Sequence, residues 1–190
     1  MKPGVRITGG AFRGRGLAVP AGARPTEGRV REALFSIWRE RLPRARFLDL
    51  FAGSGVVGLE AAGRGALSVL AVESDVRSVS AIAANAALLG PDEAEGALFA
   101  VRRLALPAGL SRLAEEGAGP FDLVFADPPY GFDAYDHLLA GLAPLLAPEA
   151  EAAVEHSSRR DLPPAAGPLL RTSVRRYGET ALAFYAARSI

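Results

Sequence analysis

The sequence predicts an α/β protein with a mostly parallel sheet, helix-covered on both faces and finished by an antiparallel pair of strands. Two observations carry that prediction. From Arg46 onward, short apolar runs alternate with stretches of helical period, the pattern of successive β–α units. The last such run gives way to two long β-rich segments, Leu169 to Tyr177 and Thr180 to Ala187, separated only by Gly178-Glu179.

The elements follow in order. Val5 to Ile7 and Phe12 to Val19, parted by Thr8-Gly9-Gly10, read as a hairpin studded with Arg6, Arg13 and Arg15. Pro25-Thr26 opens a helix with Thr26 as N-cap. Val30, Ala33, Leu34, Ile37 and Trp38 mark its buried stripe, which places Trp38 in the core, and Arg29, Arg31, Arg39 and Arg41 fall mostly off it. Phe47 to Phe51 is a short strand, followed by a glycine turn and a helix ending near Gly63–Gly65. Ser68 to Glu73 is the next strand, and Val76, Val79, Ala83 and Ala86 mark the next helix. Ala97 to Val101 is expected as a strand and Leu110 to Glu116 as a short helix. Phe121 to Ala126 reads as a fully buried strand, Asp133 to Leu146 as an amphipathic helix, and Glu151 to His156 as a further strand.

A chain of 190 residues, 49% hydrophobic, is long enough for one domain with a small appendage. No apolar run reaches membrane-span length and the N-terminus lacks a signal peptide's apolar core, so a soluble cytoplasmic protein is expected. With no cysteine there is no disulfide, zinc-thiolate site, iron–sulfur cluster or cysteine nucleophile, and two histidines argue against a metal site.

Charge is unevenly spread. Residues 1–46 hold 11 Lys+Arg against 3 Asp+Glu, a net of +8, whereas residues 47–190 hold 11 against 18, a net of −7. Such a division suggests a basic arm for a polyanion on a body with another task. An arginine-rich composition is the competing explanation, since 21 of the 22 basic residues are arginine.

The segment D-L-F-A-G-S-G-V-V-G, Asp49 to Gly58, falls where a strand meets a helix, the place where open α/β sheets bind ligands. Gly53 and Gly55 permit a tight turn, and Gly58 permits close helix packing. Glu73, 20 residues after Gly53, ends the next strand, where an acid holds a ribose. A dinucleotide would place its pyrophosphate near Asp49, like charge against like. The sulfonium and ammonium groups of S-adenosylmethionine suit that carboxylate better.

Asp127-Pro128-Pro129-Tyr130 follows the buried Phe121–Ala126 strand. Adjacent prolines cannot donate to a sheet ladder, so the strand must stop there. In the expected topology this strand neighbours the first one, which would set the motif beside the glycine turn. An exocyclic amine could donate its two N–H groups to the Asp127 carboxylate and the Pro128 carbonyl, freeing its lone pair for an incoming methyl. Asp127 would stabilise the charge developing on nitrogen, Pro129 would stiffen the turn, and Tyr130 would stack on the base. A plain structural Asp-Pro turn is the alternative. The absent cysteine excludes the usual covalent route to pyrimidine C5, and Lys2, the single lysine, argues against a lysine-centred ribose methylation. Nitrogen methylation remains.

The chain resembles the D-type bacterial small-subunit (16S) rRNA guanine-N2 methyltransferases. The resemblance rests on R-I-T-G-G-A-F-R-G-R-G-L (Arg6 to Leu17), R-P-T-E-G-R-V-R-E-A-L-F (Arg24 to Phe35), D-L-F-A-G-S-G-V-V-G-L-E-A (Asp49 to Ala61) and D-P-P-Y. The strand around Val154-Glu155 and the Tyr177 to Tyr185 hairpin also fit, so it covers nearly the whole chain. It implies a class I methyltransferase fold, a Rossmann-like seven-stranded sheet with a C-terminal antiparallel hairpin. Residues 1–22 would form a basic β-hairpin extension and residues 23–190 the methyltransferase domain. The implied substrate is one guanine of small-subunit ribosomal RNA within a ribosomal particle, and no obligatory oligomer is implied.

Expected site residues follow. Asp127, Pro128, Pro129 and Tyr130 are catalytic. Thr26, Asp49, Phe51, Ala52, Gly53, Ser54, Gly55, Glu73, Ser74, Leu104 and Asp127 hold S-adenosylmethionine. Arg6, Arg13, Arg15, Arg24, Arg29 and Arg31 contact RNA, although Arg29 or Arg31 could instead pair with Glu27 or Glu32. Similar enzymes often carry Asp or Asn after the third strand for the adenine amine; Val101-Arg102-Arg103-Leu104 offers neither, and a backbone carbonyl could substitute there. Alternatives are adenine-N6 methylation of DNA or RNA, methylation of a glutamine amide, and a non-catalytic rRNA-binding assembly factor.

Overall fold

The mostly apolar runs Phe47–Leu50 and Phe121–Ala126 are buried almost throughout, as strands covered on both faces need no polar alternation. The computed structural model describes residues 4–90 and 98–187. Two compact units divide the chain, Met1–Leu104 and Ala105–Ile190. Among the described residues the main sheet has eight strands, most of them parallel, and a separate two-stranded ribbon lies at the N-terminal end. The eighth strand is a two-residue addition to the expected seven, β8 at Ala165–Ala166.

In the first unit the ribbon consists of β1 (Val5–Arg6) and β2 (Gly16–Leu17), paired antiparallel. It is much shorter than the expected hairpin, because residues 9–14 form a run of turns that sets Ala11 and Phe12 against Gly63. Helix α1 (Gly28–Ile37) starts after Glu27, which makes no side-chain cap. Thr26 is therefore not the N-cap; it is buried, 6% exposed. Trp38 is fully buried with its ring edge-on to Phe47 at 6.0 Å, as the helical stripe predicts.

Strands β3 (Arg46–Leu50), β4 (Ser68–Glu73) and β5 (Leu98–Arg103) are parallel, in the order β5-β4-β3. Ala97, expected in β5, lies outside the described residues. Helix α2 (Val56–Gly63) is buried at every position, and α3 (Val76–Leu89) is capped at both ends. Asp75 accepts from the Ser78 amide at 3.0 Å, and Gly90 closes the helix in the left-handed region at φ 58°. The amide of Ser78 holds the Asp75 carboxyl below its usual pKa.

The second unit holds α4 (Gly109–Glu115), β6 (Phe121–Ala126), α5 (Tyr135–Leu142), β7 (Leu146–Ser157), β8, β9 (Leu169–Tyr177) and β10 (Thr180–Ala187). Its strands run β6-β7-β10-β9-β8, with β6 and β7 parallel and the rest joined antiparallel. Helix α5 is shorter than expected and β7 longer. A 3₁₀ turn at Ala143–Leu145, with proline at its start, ends the helix and sends the chain into β7 at Leu146.

Buried titratable rings mark this unit, Tyr185 and His156 among them. Tyr185 donates to the Pro163 carbonyl at 2.8 Å, and burial pushes its hydroxyl up to about 12. His156 is 7% exposed, and burial lowers its pKa below 6.5. The fold thus favours neutral His156, while the unfolded chain takes up a proton near pH 6.5. Stability from this residue is present above that pH and is lost as pH falls through the lower folded pKa. The drop in melting temperature between pH 7 and pH 5 should therefore be smaller in His156→Gln than in the parent; an equal drop would assign acid sensitivity to other groups.

Candidate active site

Phe51 ends β3 because its backbone adopts φ 59°, a left-handed conformation that costs a bulky side chain energy. Gly53 at φ 55° and Gly55 at φ 76° continue the turn without that cost. A Cβ on Gly55 would lie 2.9 Å from Ile82 Cγ2, so glycine is needed there for space as well. At Gly58 a Cβ would press on Asp49 Oδ2 and Val69, each at 3.0 Å, which explains the third glycine of the pattern.

Asp49 is 1% exposed and its Oδ2 accepts from the Gly58 amide at 2.9 Å, near the start of α2. That amide belongs to the unpaired N-terminal set of the helix, and Asp49 supplies its acceptor. Glu73 cross-links the neighbouring loops. Its Oε2 accepts from the Gly53 amide at 2.9 Å, and its Oε1 from the amides of Ser74 at 2.6 Å and Asp75 at 3.1 Å. The Glu73 carbonyl accepts from the Leu104 amide at 3.0 Å. Asp49, Phe51, Ala52, Gly53, Ser54, Gly55, Glu73, Ser74 and Leu104 thus gather at the carboxyl ends of β3, β4 and β5. Ser54 is 2% exposed, and its buried hydroxyl has no hydrogen-bond partner among the described residues.

Sequence reading missed Asn85 on α3. Its side chain is buried, donating to the Ser54 carbonyl at 3.0 Å and the Ala18 carbonyl at 2.9 Å, and accepting from the Ala18 amide at 3.0 Å. It joins the segment after β2 to the glycine turn. The available signal was a lone amide in the otherwise apolar run A-I-A-A-N-A-A-L-L.

A second missed cluster centres on Glu60, the single charged residue of α2, with no exposed surface. It accepts from Thr8 Oγ1 at 2.5 Å, the Thr8 amide at 3.2 Å, Arg31 Nε at 3.2 Å and Arg64 Nη2 at 2.7 Å. Arg31 also donates to the carbonyls of Thr26 at 2.5 Å and Arg6 at 2.6 Å. The Thr8-Gly9-Gly10-Ala11-Phe12 segment completes the docking. A Cβ on Gly10 would lie 2.2 Å from the Gly63 carbonyl oxygen, and the Ala11 amide donates to that oxygen at 2.6 Å.

This cluster corrects the expectation for Arg31, which is 1% exposed with its guanidinium on internal acceptors. It is therefore turned away from any phosphate. Arg6, Arg13, Arg15, Arg24 and Arg29 are exposed. Arg6 reaches the Gly14 carbonyl at 2.8 Å, Arg15 the Leu88 carbonyl at 3.2 Å, and Arg29 pairs with Glu27 at 3.0 Å, all at the surface. Thr26 sits at the Arg31 cluster.

In the second unit β6 delivers Asp127, half-buried, then Pro128, buried, then Pro129 and Tyr130, both exposed. The Tyr130 ring is fully open to solvent. The Phe132 amide donates to the Pro129 carbonyl at 3.0 Å, closing a turn with Tyr130 and Gly131 at its tip. Gly131 has φ 88°, a value that turn position reserves largely for glycine, so the working motif extends one residue to D-P-P-Y-G.

A glycine turn and an acid at adjacent strand ends, on a mostly parallel sheet closed by an antiparallel hairpin, define the class I methyltransferase fold. Comparison with known proteins then fixes the family. The model described as "Conserved hypothetical protein 95" matches residues 5–186, and the chain belongs to that family. It is 40% identical over 128 residues to the ribosomal RNA small subunit methyltransferase D of Escherichia coli K12, across 66% of this chain and 60% of that protein. The aligned part thus spans less than two thirds of that relative. Against YlbH of Bacillus subtilis the identity is 31% over 188 residues, 97% of this chain and all of that protein. The solved structure of Escherichia coli yhhF aligns with a TM-score of 0.81 at 34% identity, covering 98% of this chain and 99% of that one.

Proposed function

We propose that this protein transfers a methyl group from S-adenosylmethionine to the exocyclic N2 amine of one guanine in small-subunit ribosomal RNA. The observation that carries the proposal is the end of β6: a half-buried carboxylate, a buried proline and a fully exposed tyrosine ring held in one short turn. The D-type name of the Escherichia coli relative supports ribosomal RNA as the substrate class.

The first unit's strand ends supply a cradle for the cofactor. Glu73 has an oxygen lone pair remaining beside the Gly53 amide for a ribose hydroxyl, and buried Asp49 favours the cationic methionine end. The buried Ser54 hydroxyl is a further group that a bound cofactor would satisfy. S-adenosylmethionine supplies an electrophilic methyl when bound. On the protein's side, Asp127 and the Pro128 carbonyl accept the two amine hydrogens, and Tyr130 stacks on the extruded base. Asp127 also neutralises the positive charge that grows on nitrogen during transfer. Residues 1–22 act as the basic extension and residues 23–190 as the catalytic domain.

The test is to incubate small-subunit ribosomal RNA, free and in particles, with labelled S-adenosylmethionine and to map the modified nucleotide. Label on a single guanine N2 is expected. Label on adenine would favour the N6 reading, and absence of cofactor binding in calorimetry would remove every methyltransferase reading.

Arg6, Arg13, Arg15, Arg24 and Arg29 form the phosphate-contacting set. The surface pair between Arg29 and Glu27 is weak enough to yield to a phosphate. For about four phosphates neutralised, the slope of log affinity against log salt should be roughly −3 to −4. A slope near zero would show that the arm does not hold RNA electrostatically.

A further inference from the structure

Arg160 is an exposed arginine just beyond β7 that no sequence motif singles out. Its amide donates to the Ser157 carbonyl at 2.9 Å, and the neighbouring Ser158 amide donates to the Glu179 carbonyl at 2.8 Å. These bonds hold the post-β7 turn against the β9–β10 hairpin. From that base the Arg160 guanidinium donates to the Phe132 carbonyl and lies over the Tyr135 ring, 5.1 Å from its centroid. Phe132 in turn meets Tyr135 edge-on, centroids 5.0 Å apart.

The residues it grips are the far half of the loop that carries Asp127 to Tyr130. At the near end β6 anchors the loop, with Ala126 in register with Val154 of β7. At the far end its ordering comes from the Pro129–Phe132 turn, the edge-on pair of rings and Arg160. Tyr130 itself, fully exposed, contributes little to holding the loop. A cation over a ring and a charge-assisted bond to a carbonyl are each modest at a surface, but here both act on one loop.

We propose that Arg160 is a positioning residue for methyl transfer, fixing the Asp127–Tyr130 loop in the shape that receives the target base. It acts through Phe132 and Tyr135 and does not itself touch the reacting nitrogen. The proposal rests on the amine-clamp reading of that loop.

Two measurements on the full-length protein test it. Hydrogen exchange of the 127–134 segment should be at least tenfold faster in Arg160→Ala, with the melting temperature nearly unchanged. Steady-state methylation of small-subunit RNA should show kcat about 10- to 30-fold lower, with KM for RNA and affinity for S-adenosylmethionine within about twofold. Arg160→Lys, which can still donate to the Phe132 carbonyl, should recover part of the kcat loss. Unchanged exchange in the segment would overturn the proposal. So would a raised RNA KM at constant kcat, the signature of a simple phosphate contact. Exchange needs no substrate, so a methylation substrate wrongly identified would leave the exchange result intact and count against the proposed function alone.

Discussion

Asp127→Ala should cut methyl transfer by about 10²–10³-fold while leaving S-adenosylmethionine affinity within a few-fold, the loss typical of one transition-state hydrogen-bonding group. The expectation follows from where the residue sits. Asp127 leaves β6 half-buried, between the buried Ala126 and the buried Pro128, and prolines on its C-terminal side limit its backbone freedom. In the proposed reaction a carboxylate so restrained would meet the amine with little reorganisation as charge develops on nitrogen. The cofactor, by contrast, is proposed to rest on Asp49, Glu73 and the glycine turn, all in the first unit. Asp127→Asn keeps an acceptor oxygen without the charge and should fall between the parent and the alanine variant. The check is a comparison of kcat with the calorimetric Kd for the cofactor. A parallel loss of both would place Asp127 in cofactor binding; unchanged turnover would reduce D-P-P-Y to a structural turn.

The elements that sequence fixed most sharply were those whose residues allow one conformation. Ser68–Glu73, Phe121–Ala126 and the Leu169–Ala187 hairpin have the expected bounds, because turn residues flank the first two runs and Gly178-Glu179 divides the two strands of the hairpin. Asp133 to Leu146 was less legible. Its helical period continues through Ala143-Pro144-Leu145, and only the proline indicates that the chain switches to 3₁₀ and then to strand. The glycine turn was visible as a pattern, and its reasons became clear in contacts: Ile82 against Gly55, Asp49 and Val69 against Gly58.

The largest difference concerns the basic segment. Periodicity set Arg31 off the apolar stripe of α1, as an exposed charge among other arginines. Nothing in the sequence around Arg31 points to Glu60, 29 residues away and surrounded by Val, Leu and Ala, as its buried partner. A buried charge demands a partner, so the lone acid in an apolar helix was the readable half of the pair. The segments that carry the family resemblance, T-G-G-A-F and the arginine of R-V-R-E-A-L-F, serve here to dock the N-terminal ribbon on α2. The arginines around them are exposed, and these are the ones proposed to contact phosphate.

Arg31→Ala should therefore act on stability rather than on RNA affinity alone. It removes the Nε donor to Glu60 and the donors to the Thr26 and Arg6 carbonyls, at a site where the Glu60 side chain is 0% and the Arg31 side chain 2% exposed. Breaking a buried pair by deleting one partner costs about 3–5 kcal/mol, because the remaining charge stays desolvated. Arg64 and Thr8 still donate to Glu60, which favours the lower end of that range. For a chain of 190 residues such a loss corresponds to a melting temperature lower by roughly 6–15 °C. Glu60→Gln with Arg31 intact would leave the opposite charge buried and should also destabilise. Replacing Arg31 and Glu60 together by Met and Leu should recover part of the loss, as happens when a buried ion pair yields to apolar packing. Exposed Arg13 provides the contrast: Arg13→Ala should leave the melting temperature within about 1–2 °C, since surface substitutions rarely exceed 0.5 kcal/mol, while weakening RNA binding at low salt. If Arg31→Ala melts with the parent and loses only RNA affinity, then Arg31 serves RNA after all, and the clamp on Glu60 is dispensable to the fold.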